Sequence, residues 1–244
     1  MLAQSAEPVT GLLVRVGADY TFGKAHSPIR LATGEFVYVP IPERSERVAK
    51  GLGRPYAELT ARVQKFVGTG DATGYIPADK WMHLDPDFEH LTYGNNANSK
   101  GDAIAGLKKG DFIAFYASLR AVDQPRTLVY ALIGILTVQR LSPANEVPAQ
   151  QRFLNAHTRR SPIASGDVVV FATPENSGRL DRALAIGEYR DRAYRVRRDL
   201  LDAWGGLSVR DGYIQRSAVP PKFSNAGRFR HWLLNAGATL VHTN

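Results

Sequence analysis

The chain contains no cysteine. That absence excludes disulfide bonds, thiolate nucleophiles and cysteine-ligated zinc or iron–sulfur centres together, and it accords with a reducing compartment. The sequence also lacks an apolar run long enough to span a bilayer, a basic and apolar leader at its start, internal repeats and low-complexity tracts. A cytoplasmic protein with no membrane partner is expected. No Gly-x-x-x-x-Gly-Lys-Ser/Thr loop occurs, and residues 17–23 do not fit a dinucleotide fingerprint, so no nucleotide cofactor is assigned. Negative charge is the scarcer sign, with 23 Asp and Glu against 31 Lys and Arg and a formal net charge of +8.

What remains is ordinary material for a globular core: 244 residues, 44% of them hydrophobic and 22% charged, argue for one large domain or two small ones and against long disorder. The excess positive charge is concentrated. Residues 179–230 hold twelve basic side chains against six acidic ones, three quarters of the excess, which is the footprint expected for phosphate contact. Nucleic acid becomes the leading partner. Arg195, Arg197 and Arg198 in this segment, with the Arg159-Arg160 pair before it, are the candidates for contacts to the DNA backbone.

The apolar runs at 11–17, 35–40, 112–118, 128–138 and 166–171 read as strands. Residues 44–67 read as a broken helix, and further helices are expected over 179–186, 194–204 and 228–234. Strands in both halves with helices between them predict an α+β fold around a mixed, largely antiparallel curved sheet or small barrel with flanking helices. Leu107-Lys-Lys-Gly-Asp111 followed by two strongly apolar strands resembles the central strands of the PUA-like superfamily over about forty residues. Members of that superfamily handle bases in RNA and modified DNA.

Residues 81–94 crowd five ionisable side chains, a Trp, a Phe and a Tyr between turn signals, and read as an ordered loop. His83, Asp85, Asp87, Glu89 and His90 are possible metal ligands, but they show neither His-Glu-x-x-His nor facial-triad spacing. No metal is assigned.

Several pieces taken in order resemble one family: Arg15-Val-Gly-Ala-Asp19, His26-Ser-Pro-Ile29, Tyr38-Val-Pro-Ile-Pro-Glu43, Leu84-Asp-Pro-Asp-Phe88, Thr92-Tyr-Gly94, Gly110-Asp-Phe-Ile-Ala-Phe-Tyr116 and Asn155-Ala-His157. The chain is similar, from about residue 12 to about 186, to the third type of nucleotide-modification-associated domain. The resemblance implies association with hypermodified DNA bases, in bacteriophage and in bacterial defence against them. It leads to the expectation of a single nucleic-acid-acting domain over 1–244, with a family-like core at 1–186 and an Arg-rich extension at 187–244 packed on it.

Chemistry on a base requires its removal from the stack into a pocket with stacking and hydrogen-bonding groups. Tyr20, Phe22, Trp81, Phe88 and Tyr93 are the stacking candidates, Tyr20 and Tyr93 foremost because they neighbour glycines and carboxylates. Without a metal or cofactor, hydrolysis of the N-glycosidic bond is the most economical reaction, and it needs a carboxylate for the cationic sugar and a donor for the leaving base. Asp19, Asp85 and Asp87 are the candidate carboxylates. His157 is the candidate donor, with His26, Asn155, Tyr20, Tyr93 and Arg179 as substrate contacts. The preferred reading is a base-flipping DNA glycosylase that excises a modified base from phage DNA as antiviral defence. The alternatives are a non-catalytic reader of modified bases and an enzyme that makes the modification.

Overall fold

A computed structural model describes residues 8–17, 26–68, 75–76, 80–215 and 219–244. The short strands β1 (Gly11–Arg15) and β2 (Pro28–Ile29) come first, and β3 (Ile41–Glu43) is followed by helix α1 (Ala57–Val67) and strand β4 (Trp81–His83). Strand β5 (Thr92–Asn95) and helix α2 (Ser99–Ala105) lead into the long strands β6 (Phe112–Ala121) and β7 (Leu128–Pro143). Then come β8 (Val168–Ala172), β9 (Gly178–Ala185), β10 (Gly187–Arg190) and β11 (Ala193–Val196). The chain closes with helices α3 (Arg198–Trp204) and α4 (Ala226–Asn235) and the strand β12 (Leu240–Val241).

The antiparallel pair β6–β7 is the spine. On the outer edge of β6, β1 and β2 lie in tandem and parallel to it, with Gly11 opposite Phe112 and Pro28 opposite Arg120. Strand β7 changes partners along its length: residues 131–135 pair with β9, and residues 138–143 pair with β8, which carries β5 on its far side. Register shifts within β6–β7, β7–β8 and β7–β9 mark the irregularities at which such a sheet bends. The expected mixed, mainly antiparallel α+β sheet is present. Of the two forms expected, an open curved sheet describes the strands, which do not close into a barrel among the described residues.

Alternation along the strands explains why they read as unbroken apolar runs. Leu12, Val14, Ile113, Phe115, Ala117 and Leu119 face one core, together with Tyr38, Leu59, Val63, Phe88 and Tyr93. Leu13, Phe112, Ala114 and Tyr116 face the other, which is completed by Leu200, Trp204, Ile214, Phe223 and Phe229 from the C-terminal segment. Both faces of the central strands are covered, so neither phase of the pleat can be polar.

Several local expectations are corrected. Where a helix is expected over 179–186, residues 179–185 form strand, because β9 is paired with β7 on one side and β12 on the other and the ladder overrides the helical propensity of Arg-Leu-Asp-Arg-Ala-Leu-Ala. Residues 35–40 contribute only a bridge at Phe36 to Ile29. The predicted loop at 81–94 contains β4 and β5 at its ends, and only the second half of 44–67 is α-helical. Within 194–204, β11 precedes the helix. No helix among the described residues is long and apolar enough to cross a membrane.

Candidate functional site

Strands β3 and β4 pair antiparallel with Ile41 opposite His83, which sets the Glu43 and His83 side chains beside each other. The chain leaves β4 through Leu84 and Asp85, turns at Pro86, and returns as β5. A cavity of about 520 Å³ opens here, lined among others by Glu43, His83, Asp85, Tyr93, Lys100, His157 and Arg160. Its size lies within the range of small-molecule sites, about 300–1,000 Å³.

Asp85 lies in the wall, its side chain 7% exposed. Its Oδ1 accepts the Gly94 N–H at 2.6 Å and the Asn155 Nδ2 at 3.1 Å. Its Oδ2 faces two imidazole nitrogens, His157 Nε2 at 3.6 Å and His83 Nε2 at 4.0 Å. Both separations exceed hydrogen-bond length. Each imidazole is anchored on its other side, His83 Nδ1 by Glu43 Oε2 at 2.8 Å and His157 Nδ1 by Asp167 Oδ2 at 2.6 Å. The two rings meet edge to face with centroids 5.2 Å apart. Arg160 closes the back of the cluster, with Nε 2.8 Å from Glu43 Oε2 and Nη1 3.7 Å from Asp167 Oδ2.

Gly94 is required by this packing. A Cβ there would lie 2.4 Å from His157 Cδ2 and 2.6 Å from Asn155 Oδ1, so only a glycine lets the 155–157 segment approach β5. Asn155 is fully buried and spent on positioning: its Nδ2 also reaches Thr92 Oγ1, and its Oδ1 accepts the His157 N–H. On the opposite side, Asn98 caps α2 by accepting from the Lys100 and Gly101 N–H groups. The Lys100 ammonium reaches the Arg15 carbonyl at 3.3 Å and lies 5.3 Å from the Tyr93 ring centroid.

Burial and charge divide the titratable groups. Burial works against the Glu43 carboxylate, but hydrogen bonds from His83 and Arg160 more than offset it and hold the group at about 2. Burial, reinforced by the neighbouring His157, lowers His83. His157 is raised: burial opposes its charged form, yet the hydrogen bond to Asp167 and the nearby Asp85 carboxylate outweigh that. Burial brings Lys100 down to about 8 against the pull of Asp85, and it pushes the Tyr93 phenol up with help from the same carboxylate. The site therefore sets an imidazole held toward its neutral form beside one held toward its charged form, with a lysine whose charge is weakened by burial opposite.

Among the described residues, two sets of side chains bring possible metal ligands together. In His83, Asp85 and His157, one ligand atom from each lies within 4.8 Å of the other two, and the same holds for Asp87, Glu89 and His90. The second set is occupied by an ion-pair network. Asp87 is fully buried and accepts from Arg159 Nη2 at 2.7 Å, His90 Nδ1 at 3.0 Å, the His90 N–H at 3.1 Å and Asn244 Nδ2 at 3.0 Å. Glu89 contacts Arg54.

Of the residues expected to act, Asp85, His157, Tyr93 and Arg160 line the cavity, and Asn155 supports it from behind. Asp19, Tyr20 and Phe22 lie outside the described residues. Asp87 does not line the cavity and is consumed in its buried network, which leaves it no free oxygen for substrate. Arg159 is not available to DNA: it is 4% exposed and bound to Asp87 and the Phe153 carbonyl. His26 is buried against the Ser118 carbonyl, and Arg179 is buried against Thr243 and the Leu180 carbonyl, both away from the cavity. Phe88 is a core residue against Tyr38 and Phe115, and Trp81 covers Gly53.

The Arg-rich segment is less free than its composition suggests. Arg195 is paired with Asp211 at 3.6 Å and Arg197 with Asp199, whereas Arg198 is exposed. Arg190 bridges Glu188 and Asp211, and Arg228 binds the carbonyls at the end of α3. Sequence reasoning missed Glu43, Lys100 and Asp167 as site residues and left His83 an unassigned ligand candidate. Asp167 carries the same Gly-Asp signature as Asp111, which is a turn residue accepting from the Thr10 and Lys108 N–H groups. Arg44, Arg47 and Lys50, in the stretch that follows Glu43, are exposed.

A family model described as nucleotide modification associated domain 3 matches residues 10–211. No curated protein and no solved structure matches the chain.

Proposed function

The chain belongs to the nucleotide modification associated domain 3 family, and from that premise we propose that its cavity receives one hypermodified nucleotide of DNA, extruded from the stack, and hydrolyses the bond between base and sugar. The observation that carries this reading is Asp85, a buried carboxylate in the wall of a cavity of about 520 Å³, with one oxygen tied down by Gly94 and Asn155 and the other turned toward His83 and His157.

As the N-glycosidic bond lengthens, positive charge develops on the sugar, and a fixed carboxylate in a low-dielectric wall stabilises it without reorganisation. Asp85 supplies that charge and orients the attacking water. His157, held proton-rich by Asp167 and Asp85 despite its burial, donates to the departing base. Tyr93, Asn95 and Asn98 offer a ring edge and amide groups to base or sugar hydroxyls, and Lys100 and Arg160 attract the phosphates. Exposed Arg44, Arg47 and Lys50, close in sequence to Glu43, are the further candidates for contact with the flanking strand. Excision of a modified base from phage DNA, leaving an abasic site, would serve antiviral defence.

The test is incubation of the purified chain with DNA bearing glucosylated hydroxymethylcytosine and with unmodified DNA, in buffers with and without divalent cations, followed by assay of released base and alkali-labile breaks. The expected result is release from modified DNA alone, with Asp85→Asn lowering turnover at least ~100-fold, the scale of losing one main electrostatic group, while DNA binding persists. Tight binding to modified DNA with no released base in either buffer would overturn excision and make the protein a reader.

A further inference from the structure

We propose that His83, Asp85 and His157 form a site for one divalent transition-metal cation, Zn²⁺, Fe²⁺ or Mn²⁺, whose remaining coordination positions open into the cavity. The inference rests on reading this cavity as the functional site, but not on which bond is cleaved there.

Three features of the site converge on it. First, the donor atoms nearly meet. Asp85 Oδ2 is 3.6 Å from His157 Nε2 and 4.0 Å from His83 Nε2, and no two of the three ligand atoms are more than 4.8 Å apart. A tetrahedral ion with bonds of about 2.1 Å holds its ligands about 3.4 Å apart, so side-chain shifts of well under the length of a bond bring the closer pairs into coordination.

Second, each imidazole has a carboxylate on its far nitrogen. Glu43 binds His83 Nδ1 at 2.8 Å, and Asp167 binds His157 Nδ1 at 2.6 Å. In the neutral form of each ring that arrangement places the proton on Nδ1 and turns the Nε2 lone pair toward Asp85, and it raises the basicity of the ligand, the outer-shell pattern that accompanies metal-bound histidine. Two such pairs on opposite sides of one carboxylate are hard to explain as packing alone.

Third, Asp85 is prepared to give one oxygen. Its Oδ1 is saturated by Gly94 and Asn155, which fixes the plane of the carboxylate and points Oδ2 at the two rings. The other ligand-like set, Asp87, Glu89 and His90, lacks this property, because Arg159, His90 and Asn244 already occupy both Asp87 oxygens.

The donor set decides the class of cation. Two imidazoles and one carboxylate suit borderline transition metals; an all-oxygen set would suit Mg²⁺ or Ca²⁺, and thiolates, which this chain cannot supply, would suit Cu⁺. Three protein ligands on one side of a cavity leave positions for water or substrate, the arrangement of a catalytic ion rather than a structural one. An ion so held lowers the pKa of its bound water toward neutrality and supplies a hydroxide to the cavity.

The test uses the full chain, stripped with a chelator and dialysed against Zn²⁺, Mn²⁺ and Co²⁺ in turn, with bound metal measured after gel filtration and the cobalt form read by visible absorption. One equivalent per chain is expected, with cobalt bands of a nitrogen- and oxygen-ligated ion. His83→Gln and His157→Gln should each weaken binding at least ~100-fold, Glu43→Gln by about 10–100-fold, and Glu89→Gln not at all, with near-ultraviolet circular dichroism reporting the fold of each variant. If a histidine variant fails to fold, the cobalt spectrum of the unaltered chain and the Glu43→Gln affinity carry the decision. Absence of stoichiometric metal on the folded chain, or equal affinity in Glu43→Gln and Glu89→Gln, overturns the site. Stoichiometric metal without base release supports the site and sinks excision, whereas base release by chain that binds no metal does the reverse.

Discussion

Replacing Asp87 by alanine is expected to weaken the fold and to leave the chemistry of the remaining folded molecules intact. Asp87 is fully buried, carries four hydrogen bonds from Arg159, His90 and Asn244, and is held at about 2 against a reference of 3.8 although burial alone would raise it. At 1.36 kcal/mol per pKa unit, that difference represents about 2 kcal/mol. Because the folded pKa is the lower one, this contribution is full above pH 3.8 and is lost as the pH falls toward 2. Truncation costs more than protonation. It strands the Arg159 guanidinium, which is 4% exposed and already has one buried nitrogen, Nη1, with no partner among the described residues. Breaking a buried pair from one side costs about 3–5 kcal/mol, a large part of the roughly 5–15 kcal/mol total of an ordinary domain. For a chain of this size that lowers the melting temperature by about 10 °C. Calorimetry on Asp87→Ala, Asp87→Asn and the double variant Asp87→Ala/Arg159→Met should give a large, a smaller and a partly recovered loss. A melting temperature within about 1 °C of the parent, or turnover abolished at unchanged stability, would refute the structural assignment.

Three further outcomes follow from the geometry. Gly94→Ala should displace His157 and Asn155, since its methyl would sit 2.4 Å from the imidazole; a destabilisation of about 1–3 kcal/mol with at least a tenfold loss of metal affinity is expected, and unchanged affinity would show that the contact is slack. Lys100, at about 8 in the folded chain against 10.5 as a reference, is protonated more in the unfolded state between those values, so stability should rise with pH across that window and the rise should vanish in Lys100→Met. Affinity for an anionic ligand should fall as the pH passes through about 8, where the folded amine loses its proton, and a flat profile in both readouts would count against a buried amine. Phe229→Ala, in the core on the far face of the sheet against Phe112, Trp204 and Phe223, should cost about 3–5 kcal/mol while the folded fraction keeps its metal stoichiometry; loss of metal at full fold would tie that face to the site.

The candidate site is partly legible in the amino-acid sequence. Asp85, Tyr93, Asn155 and His157 fall in short motifs with turn chemistry, and those motifs survive folding as a cavity wall and its support. His83 stands in the same motif-rich stretch as Asp85, but the second imidazole of the set comes from about seventy residues later in the chain, and nothing local marks the pair. Asp87 and Asp85 are two positions apart with the same side chain, yet one is a saturated ion-pair hub and the other faces the cavity. The turn that separates their directions is invisible to composition. Charge misleads in the same way: Arg190, Arg195 and Arg197 count toward a basic footprint, and each has an acidic partner in the fold.

By itself the sequence determined the classes of chemistry open to this protein and the material of its core. Zero cysteines excluded thiolate sites, and strongly apolar segments at 112–118 and 128–138 became the paired spine, since a strand buried on both faces can carry no polar phase. The tertiary structure alone decided which charges meet. The pairing of β3 with β4 and of β5 with β8, and the close passage of residues 155–160 over Gly94, gather Glu43, His83, Asp85, His157 and Asp167 around one cavity. Burial there makes each charge depend on its neighbours, and that dependence exists only once distant segments share a low-dielectric space.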